Sequence, residues 1–178
     1  KRLQQQIEDS LQREAQEQLK AEQERRKQLY SRLDERGKSH LTTLMQIEKI
    51  LQGKLKSLGD RLANNQIVNT AAEVINEAMQ SLENRVTYTS LLQQFDMLKL
   101  TEDLALTKAK YEREKDYTLK NEYRQTIKAL TDELNGLKKL KAAIEQLEQD
   151  VITAQSSLRT TILLLSQPQS ADHASRLD

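Results

Sequence analysis

Toward the C-terminal end of the chain, seven residues stand seven apart without a miss: Tyr123, Leu130, Leu137, Ile144, Val151, Leu158 and Leu165. A repeat of seven keeps its members near one line on an α-helix, so this column demands a long helix with a buried seam. With these as d positions, the a positions are Ile127, Leu134, Lys141, Glu148, Gln155 and Ile162, apolar only at the ends. In the middle, Leu140, Leu147 and Ala154 at g take over the apolar role. A two-stranded coiled coil wants apolar a and d throughout. A stripe that widens and shifts suits a helix packed against two neighbours, as in a bundle.

The rest of the composition agrees with long helices. Four glycines and one proline in 178 residues fall well below the usual shares of about 7% and 5%. Aromatics make up 3% of the chain and Trp is absent, so burial must rest on aliphatic side chains. Charged residues reach 31%, but the regular Leu and Ile spacing argues against disorder. No alternating strand pattern appears.

The segment up to Arg36 reads as a charged helix with a thin stripe of Leu3, Ile7, Leu11, Ala15 and Leu19. Steps of four exceed the 3.6-residue turn, so the stripe drifts around the helix. From Glu22 to Gln28 no residue is apolar, and ion pairs of Glu22 with Arg25 or Arg26 are expected to hold that stretch in solvent. Leu29, Tyr30 and Leu33 resume the stripe. Gly37-Lys38-Ser39 reads as a kink or turn, after which Leu41, Leu44, Ile47, Leu51, Leu55, Leu58 and Leu62 trace one helical face.

The best turn lies between Gly59 and Asn69. Thr70-Ala71-Ala72-Glu73 has the form of a capping box, which predicts a helix starting near Ala71 and a chain reversal before it. The next face runs through Ala71, Ile75, Ala78 or Met79, Leu82 and Val86, then Leu91, Leu92, Phe95 and Leu98. No Gly or Pro interrupts Gln66 to Asn135, which allows one very long helix. Asn135-Gly136 is either a helix-ending turn or an interior point through which the heptad phase passes unbroken; a turn is slightly favoured. Pro168 ends the last helix.

The predicted fold is therefore all-α, an elongated antiparallel coiled-coil or long-helix bundle of three to four helices. Its organisation is a charged helical arm over residues 1–36, a coiled-coil bundle over 37–166 and a flexible polar tail over 167–178.

Chemical signals are faint. Neither His40 nor His173 has the Glu-x-x-His or His-x-x-x-His spacing of a bundle metal site. The acidic pairs fall among Lys and Arg, where a solvated charged face is the commoner reading. Tyr111, Tyr117 and Tyr123 lie among basic residues, yet six-residue steps turn each ring to a different side, and acids interleave; packing or partner contact is favoured over base stacking. Without cysteine there is no disulfide or thiolate site. No catalytic, cofactor or metal site is expected.

A net charge of +1 with interspersed signs argues against nucleic acid as a partner, and membrane contact is the less expected reading. No segment reaches the ~20 apolar residues of a membrane span. The chain starts at Lys1 rather than Met, which is compatible with a fragment lacking its targeting segments; a cytoplasmic location is expected.

The expected function is that of a non-catalytic scaffold or adaptor that binds partner proteins through helical surfaces and self-associates. The alternatives are a membrane-associated helical module of curved-dimer type, or a helical secreted effector that binds a host protein. An enzyme ranks below these. The partner-binding candidates are the arm residues Leu3, Ile7, Leu11, Leu19, Leu29, Tyr30 and Leu33, because a thin drifting stripe contributes little to a fold but can lie in a groove on another helix.

Overall fold

The computed structural model describes residues 2–58 and 65–167, and side chains over 10–57 and 66–167. These residues are all-α, with no strand among them. They form five helices: α1 (Arg2–Arg32), α2 (Glu35–Leu58), α3 (Asn65–Leu92), α4 (Met97–Arg113) and α5 (Tyr117–Ser166). The sequence reading counted three to four, and the difference lies in how the chain breaks its helices.

The three breaks that fall within the described residues are each made by an aspartate, with no Pro at any of them. Between α1 and α2 the interruption falls at Leu33-Asp34, ahead of the expected Gly37-Lys38-Ser39, which lies inside α2. There the Gly37 amide donates to Asp34 Oδ1 at 2.9 Å. Between α3 and α4 the Lys99 amide donates to Asp96 Oδ1 at 3.0 Å. Between α4 and α5 the Leu119 amide donates to Asp116 Oδ1 at 3.0 Å. In each case a carboxylate satisfies a backbone donor that the first turn of a helix leaves unpaired. The last break is reinforced by Glu114, whose Oε1 accepts from the amides of Lys115 and Asp116 at 2.8 and 2.9 Å. The single long helix allowed from Gln66 to Asn135 is thus divided into three.

Two expected boundaries are interior. Helix α3 begins at Asn65, so Thr70 and Glu73 sit within it and form no capping box. Asn135-Gly136 lies inside the 50-residue helix α5, where the seven-residue phase runs straight through. Of the turn expected between Gly59 and Asn69, residues 59–64 lie outside the described residues. So do Pro168 and the rest of the tail after Gln167.

The chain divides into two compact units, Lys1–Leu82 with Ile152–Asp178, and Glu83–Val151. In the first, Leu29 of α1 and Leu33 just after it are buried together with Leu41, Leu44, Ile47 and Leu51 of α2. Ala71, Ile75, Ala78, Met79 and Leu82 of α3 and Leu158 of α5 complete this core. Of the stripe read for α2, Leu41, Leu44, Ile47 and Leu51 are these residues, Leu55 is half-buried, and the side chains of Leu58 and Leu62 lie outside the described residues; the α3 stripe from Ala71 to Leu82 is here in full. Gln155, an a position of the heptad, is buried as well, and its amide donates to the His40 carbonyl at 2.9 Å.

In the second unit, Val86, Leu134, Leu137 and Val151 are buried, along with two ionisable side chains of opposite sign, Arg85 and Glu148. Helix α4 contributes no buried residue. The face expected to continue through Leu91, Phe95 and Leu98 stops at Val86, and all three of those side chains are exposed. Along α5 none of the seven d residues is exposed, while Lys141 at a is exposed and Leu140 beside it is half-buried. The seam shifts from a to g at that point.

A candidate docking groove on the first unit

Helices α1 and α2 run side by side in opposite senses from the break at Leu33-Asp34, so that Arg26 lies against Glu48. On one side their apolar faces close over the core. On the other they leave a groove of about 950 Å³ whose apolar walls are Leu19, Tyr30 and Met45. These three side chains are 59%, 46% and 43% exposed. An apolar cleft open to water with a few fixed polar groups is what a binding site for another molecule needs.

Arg26 fixes the base of the groove. Its Nε donates to Glu22 Oε1 at 2.8 Å, one turn back on α1. Its Nη1 and Nη2 both reach the Glu48 carboxylate on α2, the second at 3.1 Å. Such a two-point contact gives direction as well as strength. The Glu48 hydrogen bonds raise the guanidinium above its already high ordinary value, burial opposes this in part, and Glu22 adds to it. Glu22 also pairs with Arg25 at 3.6 Å, and Arg25 donates to Asn76 of α3 at 3.4 Å. The ion pairs expected of Glu22 are therefore present. Gln23, Glu24, Lys27 and Gln28 are exposed as expected, while Glu22, Arg25 and Arg26 are half-buried because the two arginines reach across to α3 and α2. The Glu22, Arg26 and Glu48 cluster also walls a second cavity of about 290 Å³, bounded by Ala71, Ile75 and Met79 of α3.

Of the seven candidate residues, Leu19 and Tyr30 line the groove. Leu11 is 59% exposed on the part of α1 where every residue from Ser10 to Ala21 faces water. Leu29 and Leu33 are buried in the core of the unit and offer no surface. The side chains of Leu3 and Ile7 lie outside the described residues. Met45, Lys27 and Lys49 line the groove and were not among the candidates. A signal for Met45 existed: it sits next to Leu44 but off the Leu41–Ile47 stripe, a large apolar side chain on the wrong side of an amphipathic helix.

Lys120 lies 5.0 Å and Arg124 5.9 Å from the centre of the Tyr111 ring. Arg124 donates to the Tyr111 hydroxyl at 3.2 Å, which lowers the phenol from its ordinary value. Tyr117 stands apart as an exposed ring. Among the described residues no three His, Asp or Glu side chains gather as a metal site, and no helix is long and apolar enough to cross a membrane. No family model, curated protein or solved structure matches the chain.

Proposed function

We propose that the protein is a non-catalytic helical scaffold or adaptor, built as an antiparallel coiled-coil-type bundle, which binds partner proteins through the groove between α1 and α2. The observation that carries this reading is the exposure of Leu19, Tyr30 and Met45 together in one concave cleft. Monomeric surfaces seldom keep clustered large apolar side chains in water without a use for them. A cleft between two helices has the shape that accepts a third, the helix-in-groove mode of recognition. Self-association belongs to the same reading, through the exposed stretch of α1 around Leu11.

The test is site-specific photocrosslinking in extracts of the source cells, with the reactive group placed at Met45 or at Ile50. Ile50 is equally exposed but does not line the groove. Discrete protein adducts from position 45 and none from position 50 are expected. Equal labelling at both positions would refute the groove as a docking site.

A further inference from the structure

We propose, resting on the docking reading above, that the occupant of the groove is an acidic amphipathic helix from a partner protein. The argument starts from charge. The acids at the groove, Glu22 and Glu48, are both held by Arg26 and have little left to offer a visitor. Lys27 and Lys49, one on each wall, form no ion pair among the described residues. The groove therefore presents apolar side chains together with two uncommitted cations.

The pattern extends along both helices. Arg13, Lys20 and Lys27 stand seven apart on α1, and Lys49 and Lys56 stand seven apart on α2. All five are exposed and none is paired among the described residues. Seven residues rise about 10.5 Å along a helix and return to nearly the same side of it. The lysine that each helix gives to the groove lining, Lys27 or Lys49, thus belongs to a basic column in step with a heptad. Flanking charges of this kind choose the partner of a helix and its orientation while the apolar seam supplies affinity. Glu17 and Glu24 stand three residues before Lys20 and Lys27, beside the column and outside the groove lining, and Glu24 accepts from Gln28 at 3.2 Å.

A helix with Leu or Ile at a and d and carboxylates at e and g would set its apolar edge against Leu19, Tyr30 and Met45. Its acids would then meet Lys20 and Lys27 on one side and Lys49 and Lys56 on the other. An anionic membrane shares the charge but not the shape, since a concave cleft between helices offers a flat bilayer few apolar contacts.

The test uses the full chain and three probes. The first is a fluorescent 21-residue peptide with Leu at a and d and Glu at e and g. The second has the same Leu pattern with Lys at e and g. The third is a vesicle containing phosphatidylserine. Anisotropy titration should show the acidic peptide binding, with affinity falling as salt rises. The basic peptide should bind at least about tenfold more weakly, since each exposed pair is worth roughly a few-fold. Lys27→Glu with Lys49→Glu leaves two cations and two anions along the groove and should abolish that preference. Both residues are exposed and uncommitted, so the double variant should fold, which circular dichroism would check. Equal binding of the two peptides, binding of neither, or vesicle binding that is lost in the double variant would each overturn the proposal. Adducts at Met45 alongside any of those results would leave the groove as a docking site and remove only its acidic partner.

Discussion

Replacing Gly136 by Ala asks the structure a question with a clear sign. Gly136 is the twentieth residue of α5 and exposed, between the buried Leu134 and Leu137. A Cβ built on it meets nothing within 4 Å. No steric term opposes the substitution, so its effect is the difference in helix preference alone. Glycine in a helix interior is about 0.5–1 kcal/mol less favourable than alanine, partly because the unfolded chain loses freedom when Ala replaces it. For a protein of this length, 1 kcal/mol moves the melting temperature by about 2–4 °C. Thermal unfolding followed by helical circular dichroism should therefore show Gly136→Ala melting about 1–4 °C higher. A urea titration should give a higher midpoint with the same slope. A fall in melting temperature of that size would refute the reasoning. It would mean that Asn135-Gly136 closes a helix in the left-handed conformation, where a Cβ is unfavourable.

Three further outcomes follow from the same geometry. Thr70→Ala should be neutral or raise stability by up to about 0.5 kcal/mol, since Thr70 is exposed inside α3 and caps nothing; a loss near 1 kcal/mol on thermal or chemical denaturation would restore the capping box. Asp116→Ala should lower stability by about 1 kcal/mol by removing the acceptor for the Leu119 amide, and an unchanged urea midpoint would show that the cap is idle. Arg26→Ala should lower stability by about 1–3 kcal/mol, because a half-buried Glu48 loses a two-point charged partner; a double-mutant cycle with Glu48→Ala giving no coupling would argue against the contact.

The helical nature of the chain was legible because its two strongest signals, rarity of breakers and the seven-residue column, both report on helix interiors. The inward faces of α2, α3 and α5 were legible for the same reason: periodicity measures burial on a cylinder. Helix ends were not. Glycine and asparagine at Gly37 and Asn135-Gly136 suggested turns, yet each is accommodated in a helix, while Asp34, Asp96 and Asp116 look from sequence like three acids among twenty-seven. An aspartate caps a helix only if the chain is already turning there, and that depends on what the flanking helices pack against. The unbroken heptad phase through Gly136 was the better guide, since a turn has no reason to preserve it. At the groove, the exposed stripe pointed to Leu19 and Tyr30, but stripes cannot tell a solvent face from a core face. Leu29 lies on the same helix as Leu19, and Leu33 follows directly after its end, yet both are buried. Met45 and the two lysines come from pairing two helices, a relation that neither helix contains alone.

The hydrogen bond from Gln155 to the His40 carbonyl has a consequence beyond its own strength. The d column of α5 repeats every seven residues, so on that column alone α5 shifted by about 10.5 Å would present nearly the same contacts. Leucines alone cannot count. Shifted one heptad in one direction, the position of Gln155 would be taken by Glu148, whose carboxylate has no hydrogen to give the His40 oxygen. Shifted in the other, it would be taken by Ile162, which can neither give nor accept. Only one alignment places an amide donor there, so a single polar side chain tells otherwise equivalent alignments apart, as a serial number distinguishes identical parts.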